Sequence, residues 1–129
     1  MKLLLDTHIW IWSVADRERL SPRILKAILE SSNELWVSPV SAWELLVLHS
    51  LGRIQLAPHW RDWIARATVN VREAALTQKI VMAAYELSLE TKDPADRFLA
   101  ATAQVLGLTL VTADRMLLSL GNIETLVNN

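Results

Sequence analysis

Residues 2–14 read KLLLDTHIWIWSV, an apolar run that ends abruptly in an acid and passes into a second apolar stretch. After its lysine, Lys2–Leu5 is apolar at every position. A strand buried on both faces has that pattern, whereas a half-exposed strand alternates apolar and polar residues. Ile9–Val14 then predicts a short helix. Ser21-Pro22 opens another, with Ser21 as N-cap, Pro22 in the first turn, and Ile24, Leu25, Ile28 and Leu29 at helical spacing. Glu34–Ser38 predicts a second strand ending at Pro39. Ser41–Leu51 predicts a helix that stops at Gly52. A further helix starts near Pro58, and Thr68–Val71 predicts a third strand. Thr77–Leu89 and Pro94–Leu106 predict helices, the latter closed by Gly107. Leu108–Val111 predicts a fourth strand, followed by a short helix from about Asp114 and an edge strand at Glu124–Val127. Strands alternating with helices imply an α/β domain built on a mostly parallel sheet. Such sheets place their sites at the carboxyl ends of the strands, where Asp6 and Asp114 fall.

The 129 residues suit a single domain, 1–129, with no linker or internal repeat. Apolar residues make up 52%, and with three glycines and four prolines the composition is that of a packed protein rather than a disordered one. No apolar run reaches the roughly 20 residues of a membrane span, and Asp6 interrupts the first one too early for a signal peptide. The absence of cysteine excludes disulfides and thiolate metal sites. A soluble, cytoplasmic protein with no membrane partner is expected. The formal charge of −1 means that any nucleic-acid contact is local, or is helped by a partner or a bound cation, because proteins that hold nucleic acid through their overall field are basic.

Four acids stand out. Ser41-Ala-Trp-Glu44 has capping-box spacing, Asp93-Pro94-Ala95-Asp96 has Asp93 as a cap, and Thr112-Ala113-Asp114 opens the last helix. Each has an ordinary explanation when taken alone. Their helical faces add something. Glu44 shares its face with Val47, Leu48 and Leu51. Asp96 shares its face with Leu99, Ala100 and Ala103, and Asp114 precedes Leu117 and Leu118. Carboxylates on core-facing stripes are costly unless they are paired or bind a metal. Like charges gathered together raise one another's pKa unless a cation intervenes. Oxygen donors suit Mg²⁺ or Mn²⁺, and metal held by carboxylates suits phosphodiester hydrolysis. Asp6, Glu44, Asp96 and Asp114 are therefore the candidate metal-binding and catalytic acids. Thr112 is a possible auxiliary that orients a water or a carboxylate, although β-propensity alone accounts for a threonine at a strand end.

LLLDTHIWIW, SPVSAWEL, KDPADRFLAATA and LVTAD, in this order and with these gaps, resemble the PIN-domain ribonucleases, and most of all the VapC-like toxins of toxin–antitoxin pairs. The resemblance covers essentially the whole chain. It implies a three-layer α/β/α sandwich around a parallel sheet, with Mg²⁺ or Mn²⁺ in an acidic pocket. It also implies endonucleolytic cleavage of single-stranded RNA, a homodimer, and neutralisation by a small antitoxin protein. By position, Asp6 matches the first-strand acid, Glu44 the acid of the helix after strand two, Asp96 the acid of the DR-apolar helix, and Asp114 the acid of the last TxD. Asp93 matches less closely and reads as a cap or an outer-sphere auxiliary.

Arg97 and Arg115 follow two of the acids and are candidate contacts to RNA phosphates. The three histidines have no zinc or Ser–His spacing. His8 is a candidate substrate contact or packing residue, and His49 and His59 are expected to be solvated. Of the six tryptophans, Trp60 and Trp63 lie among Arg61, Asp62 and Arg66. That helix, or the first one, is a candidate surface for a dimer mate or antitoxin, stacking on unpaired RNA bases is a third reading, and core packing is the default.

Among rival enzymes, a haloacid-dehalogenase phosphatase needs a second Asp where His8 stands. A receiver domain needs paired acids and a late lysine. A Rossmann domain needs a glycine-rich turn, and no glycine precedes Gly52. The non-enzyme rival is a silent PIN-like module that binds RNA or protein, for which lost acids would be the mark.

Overall fold

β1 (Lys2–Leu5) is the central strand, and its apolar residues are buried on both faces of the sheet. The computed structural model describes residues 1–88, 93–118 and 122–129. Their five strands, β1, β2 (Glu34–Val37), β3 (Arg72–Glu73), β4 (Thr109–Thr112) and β5 (Thr125–Val127), form one sheet in the order β3-β2-β1-β4-β5. Every pairing is parallel, with Leu4 opposite Trp36 on one side and Leu110 on the other. The helices are α1 (Thr7–Ala15), α2 (Pro22–Leu29), α3 (Pro39–Ser50), α4 (Trp60–Ala67), α5 (Gln78–Glu86), α6 (Pro94–Leu106) and α7 (Arg115–Leu118).

Alternation along the strands divides the core. Leu3, Leu5 and Val111 point to one face of the sheet and pack with Ile9, Trp10, Ile24, Leu45 and Trp63. Leu4 and Leu110 point to the other and pack with Leu99, Ala100, Ala103 and Leu117. Helices thus cover both faces, giving the three layers expected. Chain order turns outward on both sides of β1, so the crevice between the carboxyl ends of β1 and β4 is the sheet's switch point. The ladder continues past β1, with the Asp6 amide donating to the Val111 carbonyl at 2.9 Å.

Some expected boundaries move. α3 begins at Pro39, and Ser38 is its cap, accepting from the Val40 amide at 3.1 Å. Ser41 is therefore not an N-cap and Ser41–Glu44 is not a capping box. Ser41 lies fully buried in the first turn. β3 lies at Arg72–Glu73 rather than at Thr68–Val71, because Thr68 finishes α4 by donating its hydroxyl to the Ile64 carbonyl at 2.8 Å. α5 ends at Glu86, and the expected helix end at Leu89 lies outside the described residues.

For Trp60 and Trp63 the default of core packing holds. Trp63 is core, edge-on to Trp10 with ring centroids 5.9 Å apart. Trp60 is half-buried against the same core, with the Arg61 guanidinium 4.3 Å from its ring centre. The indole that faces solvent is Trp43, 67% exposed. His59 is not merely solvated, since its Nδ1 caps α4 by accepting from the Arg61 amide at 3.1 Å. His49 is half-buried, with Nδ1 3.3 Å from the Ile54 carbonyl.

Candidate active site

The switch-point crevice opens into a pocket of about 290 Å³ that receives all four candidate acids and Asp93. Each acid is delivered by a different local rule. Asp6 ends β1 and caps α1, its Oδ1 accepting from the Thr7 amide at 2.7 Å. Glu44 projects from the second turn of α3. Asp96 stands in the first turn of α6, where the positive helix end favours a carboxylate, and Asp93 caps that helix by accepting from the Ala95 amide at 3.0 Å. Asp114 leads into α7 and accepts from the Met116 amide at 2.9 Å.

Two buried hydroxyls fix two of the carboxylates. Thr112 donates to Asp6 Oδ2 at 2.7 Å and accepts from the Asp114 amide at 3.0 Å. It is fully buried, and its hydroxyl links the Asp6 carboxylate to the Asp114 backbone. Thr7 bonds Glu44 Oε1 and lies 2.9 Å from Ser41 Oγ. A threonine hydroxyl has one proton. A proton given to Glu44 cannot also serve Ser41, so the three side chains share one hydrogen-bonded chain. Sequence reading missed Thr7 and Ser41. Their one signal is position, directly after Asp6 and one turn before Glu44.

The electrostatics report the crowding. Burial raises Asp6 above the ordinary carboxylate range, although hydrogen bonds from Thr112 and Thr7 pull it back. Glu44 is also raised by burial, opposed by its bond from Thr7 and reinforced by Asp6 and Asp93. Asp96 is pushed up to about 7, first by burial and then by Asp93, Asp114, Asp6 and Glu44. One carboxyl thus senses all the other acids.

A raised folded-state pKa means that the native chain holds more protons than the unfolded chain between the two values. Stability therefore falls as pH rises through that window. In chelator, the Tm of wild type relative to Asp96→Asn is expected to decline from pH 4 to pH 7, the interval between 3.8 and about 7 for Asp96, and to level off above it. A Tm difference that does not vary with pH would contradict the assignment.

The candidate phosphate contacts do not join the acids. Arg97 turns back over the end of α5, donating through Nε and Nη2 to the Ala84 carbonyl and through Nη2 to the Leu87 carbonyl at 2.8 Å. Arg115 is exposed and lines a separate hollow with Asn128 and Asn129. The apolar stripe beside Asp96 is buried as expected, but Val47 and Leu51 beside Glu44 are open. They line a groove of about 700 Å³ with Trp43, Leu76 and Phe98, which adjoins the acid pocket and shares Glu44 and Asp93 with it.

Among the described residues, no three acidic or imidazole side chains are already drawn into one ready coordination shell. The donor set nonetheless fits a hydrated divalent cation. It is all oxygen, its charges repel one another, and among the described residues no lysine or arginine lines the pocket. Mg²⁺ keeps several of its waters and needs few direct protein donors.

A family model for the PIN domain matches residues 3–122. The chain is 40% identical over 118 residues to Ribonuclease VapC22 of Mycobacterium tuberculosis, covering 91% of this chain and 90% of that protein. The chain belongs to the PIN domain family, on its VapC ribonuclease branch. The fold is similar to that of VapBC2 from Rickettsia felis bound to a promoter DNA fragment, with a TM-score of 0.76, 16% identity and full coverage of both chains. It is also similar to that of DNA-bound VapBC from Salmonella typhimurium, with a TM-score of 0.71, 18% identity and 98% of both chains covered.

Proposed function

We propose that this protein is a divalent-metal-dependent endoribonuclease, the toxin of a toxin–antitoxin pair, in which Asp6, Glu44, Asp96 and Asp114 hold Mg²⁺ or Mn²⁺ and catalyse hydrolysis of an RNA phosphodiester bond. The observation that carries this reading is the convergence of acids from four distant segments on one pocket, with Asp96 raised to about 7 by burial and by its neighbours. When bound, the metal supplies positive charge that offsets this repulsion and Lewis acidity toward the phosphodiester.

The chain's own groups supply the rest. Thr112 and the Thr7 amide hold both oxygens of Asp6. Thr7 holds one oxygen of Glu44 and leaves the other for the pocket. Without a cation, burial and its acidic neighbours raise Asp96 to about 7, so a bound cation is what favours its ionised, ligating form at neutral pH. Asp93 caps α6 and adds charge as an auxiliary at the rim. Thr112→Val removes only the hydroxyl that orients Asp6. It is expected to lower kcat by about 10- to 100-fold, as loss of a group that orients a ligand does, with the far-UV spectrum unchanged and Tm lowered by a few degrees because the Asp114 amide loses its acceptor. Equal kcat in the two proteins would remove Thr112 from this role.

The protein partner, on this reading, is an antitoxin whose apolar segment occupies the groove lined by Trp43, Val47 and Leu51. A chain seated there would close over Glu44 and Asp93. A second copy is the other expected partner, and the Val81, Met82 and Tyr85 side of α5 is exposed for it. No helix of the described residues is long and apolar enough to cross a membrane, and a cysteine-free chain suits the reducing cytoplasm. Residues 1–129 are read as one PIN-like domain, since the sheet draws on strands from Lys2 to Val127. Chelation tests the proposal. Cutting of RNA should stop in EDTA and return with Mg²⁺ or Mn²⁺, whereas a silent binding module would give the same output with and without metal.

A further inference from the structure

A pocket floored by carboxylates repels RNA phosphates except where bound cations offset the charge, so substrate grip has to come from the walls that are not acidic. Those walls are Thr7, His8, Ile9, Trp12 and Ala113. Thr7 is buried and committed to Glu44 and Ser41, Ile9 is buried, and Ala113 is small. His8 and Trp12 remain. They stand one turn apart on the same side of α1, with ring centroids 5.8 Å apart and planes tilted by 52°.

Trp12 is half-buried, one part packed on the core and another on the pocket. The Arg19 guanidinium lies 5.7 Å from its ring centre and is itself held by Asp16 at 3.0 Å. The indole is thus stiffened before any ligand arrives. His8 is exposed and lines the pocket beside Asp6 and Glu44. Core packing explains the inner part of Trp12. It does not explain why two aromatic rings line the mouth of an acid pocket.

We propose that His8 and Trp12 form a stacking platform for one unpaired RNA base beside the scissile phosphate, and so are specificity-determining residues. The inference rests on the ribonuclease reading. Aromatic rings hold splayed bases through their π-faces, and a base within a duplex is unavailable to them because it is already stacked. The platform binds the substrate without touching the reacting atoms, so its loss weakens KM and leaves kcat.

The test uses an RNA carrying a mapped cut site, made intact and with an abasic nucleotide on either side of the scissile bond. Wild type is expected to cut one of the abasic forms with about ten-fold lower kcat/KM, in line with the loss of one base–aromatic stack. His8→Ala and Trp12→Ala should raise KM on intact RNA and discriminate less between intact and abasic forms. Trp12→Phe should keep the discrimination. His8→Ala, at an exposed position, guards against a Trp12→Ala chain that fails to fold. If wild type cuts intact and abasic RNA equally, or if both alanine variants discriminate as wild type does, the platform is overturned and the nuclease stands. If metal-loaded wild type cuts no RNA, the ribonuclease reading fails and the platform fails with it.

Discussion

Asp96→Asn is expected to lose RNA cleavage by about 10²- to 10³-fold, the order seen when one charge-stabilising group is removed from an active site, while the metal-free protein becomes harder to melt at pH 8. The two effects have one origin. Asp96 is placed where burial and four neighbouring acids all disfavour its charge. The amide keeps the shape and the place at the start of α6 and discards the repulsion. A carboxylate present for stability alone would give the opposite result. The check is paired, with single-turnover cleavage in Mg²⁺ and thermal melting in chelator on the same preparations. A variant that is inactive and also less stable in chelator would point to a packing role for Asp96.

The largest stability effect is expected at Trp10→Ala, about 3–5 kcal/mol by urea denaturation. Trp10 is 1% exposed, meets Trp63 edge-on at 5.9 Å, and donates from Nε1 to the Ala67 carbonyl at 3.1 Å. Its removal leaves a cavity between α1, α4 and the sheet and orphans that carbonyl, which had tied the end of α4 to the core. Trp43→Ala is the internal comparison. Its ring is 67% exposed, and the change should stay within about 0.5 kcal/mol. Similar losses at both positions would mean that the division between core and groove is wrongly drawn.

The fold was legible where local chemistry and burial agree. The apolar run of Lys2–Leu5 predicted a buried first strand, and Pro94 to Gly107 bracketed α6, whose closing glycine has φ 65°. Ser21-Pro22, Ser38-Pro39 and Asp93-Pro94 all prove to be cap-and-proline helix starts. The second was hidden because Ser41 and Glu44 happen to have capping-box spacing. β3 was misplaced because Thr68–Val71 has strand propensity, whereas the actual edge strand, Arg72–Glu73, is only two residues long and exposed.

At the site, Asp96 and Asp114 could be singled out from apolar stripes that prove buried and Asp6 from its strand end, whereas the stripe beside Glu44 proves largely open. The bonds of Thr112 to Asp6, across 106 residues, and of Thr7 to Glu44, across 37, could not be seen in a string of letters. They depend on β1 lying between β2 and β4, which spacing does not encode. The reversal of Arg97 toward the end of α5 is equally a tertiary fact.

The central claim is that these carboxylates cut RNA with a metal, and one experiment tests it most directly. Purified wild type and Asp6→Asn, both free of antitoxin, are incubated with total cellular RNA with and without Mg²⁺ or Mn²⁺, and the new ends are sequenced. Discrete ends that require metal and vanish in Asp6→Asn are predicted, and their sequences would identify the target. Ends that appear without metal, persist in Asp6→Asn, or never form with metal-loaded wild type would contradict it.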